Sequence, residues 1–239
     1  MSGLTDRAAD SHRHEADFHA QAQKRWEDSM VPQIDRLRDK IRERDPFVVA
    51  HCAGASFESG VLGLAYWDEP LTVTWPSLDV LRRDGTPCAV FDQAVALYFL
   101  LQADGYPMAD AWIGFRDLPS GAFYNQAYQG YTGNRLATAF GLHPAGFDSA
   151  SQAIGGWPLP GINQHAYAFL PLPRIRLAAV LWPGDEEIDT RASVLFDGAA
   201  SHYMTTDGLA LLGSGLTGRL LRNRPQHDAR DTGAKSSQG

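Results

Sequence analysis

Lysine is absent from residues 46 to 218 of this 239-residue chain, where seven arginines stand against sixteen acids for a net charge of −9. A body of that sign repels a phosphate backbone, which excludes nucleic acid as its partner. Cysteine is nearly missing too. Cys52 and Cys88 stand far apart in no C-x-x-C arrangement, so they form neither a disulfide framework nor the four thiolates of a zinc or iron–sulfur site. Both read as buried apolar residues. No apolar run reaches the roughly 18 residues of a membrane span; the most apolar stretch, "AVFDQAVALYFLLQ", is broken by Asp92, Gln93 and Gln102. The opening "MSGLTDRAADSHRHEAD" holds no apolar export core, which makes the cytoplasm the expected location. Signatures of an activated nucleophile or a phosphate loop (G-x-S-x-G, S-x-x-K, Walker A) are also missing.

What is present reads as a mixed chain. Residues 1 to 15 are polar and are expected to form a disordered arm, and residues 16 to 45 to form amphipathic helices divided at Pro32, with Ile34, Leu37 and Ile41 on one face. Residues 46 to 222 are expected to form a single α+β domain with a mostly antiparallel sheet packed by helices, and residues 223 to 239 a disordered tail. Within the body, "PFVVAHCAGASF" reads as a strand, "GVLGLAYW" and "LTVTW" as a hairpin joined by "WDEPL", and "AVFDQAVALYFLLQADG" as a buried helix closed by Gly105. A Pro-punctuated loop, a helix from about Ala122 to Phe140 and a short helix near Ala145 to Ile154 follow. Then come strands "AYAFLPL", "IRLAAVLW" and "ASVLFDG", and a last helix from about Asp207 to Arg222.

"GSGLTG", residues 213 to 218, matches G-x-G-x-x-G, but that fingerprint needs a strand before it and a βα return with an acid after it, and only 21 polar residues remain. Its glycines read as small contacts on the last helix. "HRHEADFH" spaces His12, His14 and His19 by two and five, not the four that puts two ligands on one helix face. His51 reads as a core histidine of a strand, and His143 as a cap for the helix after Pro144. His165 opens a strand after the Gly/Pro loop "GGWPLPG", and His202 lies beside Tyr203 and Met204; a neutral imidazole in either place is a candidate metal or haem ligand. Asp185, Glu186 and Glu187 interrupt two apolar strands, as a turn would, and the same acids form a candidate hard-cation site. Arg116, between Phe115 and Asp117, is a candidate carboxylate anchor or ligand clamp.

Several strings taken together resemble one prokaryotic family, domain of unknown function 3786. They are W-x-x-F-R-x-L-P-x-G (Trp112, Phe115, Arg116, Leu118, Pro119, Gly121), the pair Gly155-Gly156, and W-x-G-D-E-E (Trp182, Gly184 to Glu187) followed by Leu195-Phe196-Asp197. The resemblance spans roughly residues 47 to 215. It carries no settled activity. Some relatives resemble proteins joined to Cys-rich iron–sulfur segments of corrinoid-linked metabolism, which implies redox or tetrapyrrole chemistry. This chain lacks that Cys cluster, and has Gln164-His165 where the family pattern tends to an acid.

Three readings are open. The first is a cofactor-binding protein holding a tetrapyrrole, haem or a corrinoid, against Trp112, Tyr124, Trp157 and Trp182, with Arg116 pairing a carboxylate and His165 or His202 as axial ligand. A metal-dependent hydrolase built on Asp185, Glu186 and a histidine such as His165 is the second. The third is a non-catalytic module that docks a partner protein or a second copy through residues 16 to 45.

Overall fold

The computed structural model describes residues 30–225. The arm at residues 1 to 15, the three histidines within residues 12 to 19 and the tail beyond residue 225 lie outside them. Two compact units make up the described residues. One comprises residues 30–106 together with His202–Thr205, the other Pro107–Ser201 and residues 206–225. Helices combine with antiparallel sheets throughout, the expected α+β class, and the strands form two sheets of four and five. Among the described residues no helix is long and apolar enough to cross a membrane.

The first unit begins with helix α1, residues 30–42, whose Ile34, Leu37 and Ile41 are buried. These three side chains of the expected docking segment are thus covered, and its residues 16 to 29 lie outside the described residues. Arg38 and Arg42 tie the helix to the carbonyls of Leu78 and Pro76 at 3.2 and 2.9 Å. Pro32 lies within α1, and a helix before it would fall outside the described residues.

The segment expected to be the first strand is instead helix α2, Pro46–Ala53. A short apolar run does not by itself distinguish the two. The ends decide it: Asp45 caps the Phe47 N–H at 2.8 Å, Pro46 fills the first turn, and Gly54 closes the helix at φ +65°. His51 is consequently an exposed helix residue, not a core strand residue, and Cys52 is half-buried while Cys88 is buried.

Strands β1 (Ser56–Glu58), β2 (Val61–Tyr66), β3 (Glu69–Thr74) and β4 (Val80–Leu81) form an antiparallel meander. The β2–β3 hairpin pairs Val61 with Thr74 and Tyr66 with Glu69, as its alternating pattern predicts. Helix α3, Val90–Gln102, is the buried helix expected there. It ends at Ala103, and Gly105 follows with φ +83°.

In the second unit the sheet runs β5-β9-β8-β7-β6. Its strands are β5 (Trp112–Gly114), β6 (Trp157–Pro158), β7 (Ala166–Leu172), β8 (Ile175–Trp182) and β9 (Arg191–Asp197). The three long strands match the sequence expectation, whereas β5 lies in what reads as a loop. The helix expected over 122 to 140 is two, α4 (Gly121–Tyr131) and α5 (Gly133–Phe140). Thr132 interrupts it with ψ −91°, its hydroxyl donating to the Tyr128 carbonyl at 2.6 Å. Gly133 then seats against the Ala192 carbonyl of β9, where a Cβ would overlap that oxygen. Helix α6, Pro144–Ala153, begins at His143, which occupies the cap position with no side-chain cap bond. Helix α7, Thr206–Arg222, contains Gly213. A Cβ at that position would overlap the Tyr128 hydroxyl, so "GSGLTG" serves helix packing and not a dinucleotide.

Candidate functional site

Register assigns each sheet residue of the second unit to a face. Trp112 pairs with Asp197, Ala178 with Leu195 and with Ala168, and Trp157 with Ala168. With the alternation along β8, these pairs put Trp112, Trp157, Trp182, Arg176 and Asp197 on one face. The tryptophans are spread out: Trp112 and Trp157 occupy opposite edge strands, four strand spacings or about 19 Å apart. Between them Ala166, Ala168, Ala178 and Val180 are completely buried, so they form no open pocket floor. Tyr124 is exposed on α4. The aromatic wall expected from sequence is therefore not gathered into one pocket.

The Arg-bearing string explains itself except at the arginine. Phe115 is buried and stacks on Tyr128 with centroids 3.9 Å apart. The Asp117 carboxylate accepts the Gly114 N–H at 3.0 Å, and Gly121 fits where a Cβ would overlap the Phe115 carbonyl. Arg116 is exposed, with no ion pair among the described residues. The half-buried, paired guanidinium belongs to Arg176. Its Nη2 bonds Asp110 at 2.6 Å and also bonds Asp197, and its head lies 5.6 Å over the Trp112 ring. Asp197, only 1% exposed, also accepts the N–H groups of Ala109 and Ala199 at 2.8 and 2.9 Å. Burial would raise its carboxyl, but the Arg176 bond and the two backbone N–H groups outweigh that and hold it below the usual carboxylate range.

The acidic string is a self-contained turn. Asp185 Oδ1 accepts the N–H groups of Glu187 and Ile188, both at 2.9 Å, and the Gly184 N–H donates to Thr190 Oγ1 at 3.0 Å. Gly184 is required because a Cβ would overlap the Ile188 carbonyl. Glu186 and Glu187 are exposed. His165 sits at the same end of the sheet, its carbonyl accepting the Leu181 N–H at 2.9 Å. Even so, among the described residues no three His, Cys, Asp or Glu side chains are grouped to hold a metal ion, and His165, Asp185 and Glu186 are not brought together.

His165 has a different partner. Its Nδ1 lies 3.0 and 2.9 Å from the two oxygens of Asp148, which projects from α6. A carboxylate only accepts, so Nδ1 carries a proton, and in the neutral ring Nε2 presents its lone pair, with no hydrogen bond to it among the described residues. Asn163 accepts the His165 N–H at 3.0 Å, which fixes the strand's start. Beside it Tyr167 is buried, its hydroxyl 3.4 Å from Gln152 Nε2; burial, then the Asp148 charge, pushes the phenol up. The adjoining Gly/Pro loop leaves space, since a Cβ at Gly155 or Gly161 would meet nothing.

His202, in the first unit, has a similar arrangement. Its Nδ1 is 2.7 Å from Asp104 Oδ2, and its ring stacks on Tyr106 at 4.0 Å. The His202 bond comes first among the causes that hold the Asp104 carboxyl low. The His202 side chain is 37% exposed against 14% for His165, so the second unit holds the better shielded imidazole.

These features define an α+β protein with an aspartate-oriented histidine at one end of an antiparallel sheet. The chain belongs to a family described as domain of unknown function (DUF3786), whose profile matches residues 45–219. No curated protein and no solved structure matches it.

Proposed function

We propose that the protein binds a small-molecule cofactor through His165, and that a metallated tetrapyrrole, haem or a corrinoid, is the class that suits this residue. The observation that carries the reading is the Asp148 carboxylate bracketing His165 Nδ1. Metal-ligating histidines characteristically donate their second ring N–H to a carboxylate, which fixes the tautomer and makes the ligating nitrogen more basic. The ring is mostly buried, as a ligand shielded from water would be, and Gly155 and Gly161 in the preceding loop border open space. Trp157, paired with Ala168, lies on the opposite face of the sheet from His165 and takes no part in this reading. Bound at His165, such a group would supply its own redox or ligand-exchange chemistry. Asp148 would orient the imidazole, and His165 Nε2 would hold the metal.

Arg116 is not the carboxylate partner in this reading. It follows the far edge strand, three strand spacings or about 14 Å from β7. Titration of the full-length chain with haem, followed in the Soret region, tests the proposal. Wild type should saturate near one equivalent, Asp148→Asn should bind about 10-fold more weakly, and His165→Ala should lose or shift the band. An unchanged spectrum in His165→Ala would remove the assignment.

A further inference from the structure

Independently of His165, the second unit carries a cleft of about 350 Å³ between the α4–α5 junction and the end of α7, lined by Gly130, Asn134, Arg135, Thr138, Leu221 and Arg224 among others. Among the described residues no carboxylate lines it, although the chain is net −7. Neither arginine forms an ion pair among the described residues.

Helix electrostatics do not account for this pair. Arg135 stands in the first turn of α5, which contains no acid, and there the macrodipole disfavours a cation and favours an anion. At the other wall, Arg219 and Arg222 already complement the carbonyl end of α7, and Arg224 lies beyond it. The backbone on either side of Arg224 is held. Asn223 caps the Arg219 carbonyl with Nδ2 at 2.9 Å, and Pro225 rests 3.7 Å from where a Cβ on Gly146 would stand. A Cβ on Gly130 would meet nothing, which keeps that side of the cleft open.

We propose that this cleft binds a small oxyanion of the phosphate-ester class. Two guanidinium forks match phosphate oxygens in bidentate geometry, and the Asn134 amide adds a neutral donor. The volume, at the lower end of small-molecule pockets, exceeds what inorganic phosphate fills and suits a small phosphorylated metabolite.

The test is calorimetric titration of the full-length protein with pyrophosphate and with inorganic phosphate at constant ionic strength, using chloride as control. Arg135→Gln and Arg224→Gln are surface changes whose folding is checked by circular dichroism, and Arg82→Gln in the first unit serves as the charge-matched control. Saturable pyrophosphate binding, weakened about 10-fold or more by each cleft substitution and unchanged in Arg82→Gln, is the expected result. Equal weakening in all three variants would reduce the effect to net charge and overturn the proposal. So would the absence of saturable binding in wild type.

Discussion

Replacing Arg176 with Leu removes the side-chain cation that, among the described residues, alone pairs a carboxylate that is 1% exposed. Asp197 retains its two backbone N–H bonds at 2.8 and 2.9 Å, so it stays in place as a buried, uncompensated charge. Breaking one partner of such a pair costs about 3–5 kcal/mol, and losing the contact over Trp112 adds roughly 0.5–1 kcal/mol. The pH dependence distinguishes this cause from simple loss of packing. In wild type the Asp197 carboxyl sits below its unfolded value, so its stabilisation is full above about pH 4 and fades as pH falls through the folded value. In the variant, burial acts without the arginine, the carboxyl rises above its unfolded value, and protonation relieves the buried charge. Urea denaturation should therefore show a loss of about 3.5–6 kcal/mol at pH 7 that shrinks toward pH 4.5. A deficit under about 1 kcal/mol, or one of the same size at both pH values, would refute the reasoning.

Other outcomes follow from the same geometry. Gly213→Ala should destabilise by about 1–3 kcal/mol by driving a Cβ into the Tyr128 hydroxyl. Because that hydroxyl is buried with no hydrogen-bond partner among the described residues, Tyr128→Phe alone should be close to neutral, and in the double variant it should restore only part of the loss, since the ring carbons still crowd the added Cβ, read by thermal melts. Gly121→Ala, which sets a Cβ against the Phe115 carbonyl, has no such rescue and should unfold more readily than Gly213→Ala in the same assay. In the acidic turn, Asp185→Ala should cost about 1 kcal/mol through two lost N–H bonds, while Glu186→Gln and Glu187→Gln should stay within about 0.5 kcal/mol of wild type in denaturant.

Where local pattern and fold agreed, the chain was readable. The β2–β3 hairpin, strands β7 to β9, and helices α3, α6 and α7 follow from alternation, apolar faces and capping residues. Helix α2 reads as a strand because a largely apolar run of eight residues fits either period. The informative letters were the flanking Asp45-Pro46 and Gly54. Strand β5 has three residues and pairs only with β9, a contact far away in sequence that no local window contains. The break at Thr132 depends on how closely Gly133 must approach β9, again a tertiary demand.

The candidate site divides the same way. His165 was recognisable from its place after the Gly/Pro loop, but nothing near it points to Asp148, 17 residues earlier on α6. Arg116 is conspicuous as a cation in a distinctive string, yet the arginine paired with a buried carboxylate is Arg176, whose setting "RIRL" carries no motif. Asp197 was within reach, since it closes the Leu195-Phe196-Asp197 string. What the string could not convey is that its carboxylate gathers Arg176 and the Ala109 and Ala199 N–H groups.

The most direct test of the central claim is the absorption spectrum of the full-length protein after reconstitution with haem and, separately, with a corrinoid, recorded for wild type, His165→Ala and His202→Ala with metal analysis of each sample. The account predicts a stoichiometric complex whose spectrum is preserved in His202→Ala and lost or shifted in His165→Ala. A wild-type protein that takes up neither group, or a spectrum indifferent to His165, would contradict it.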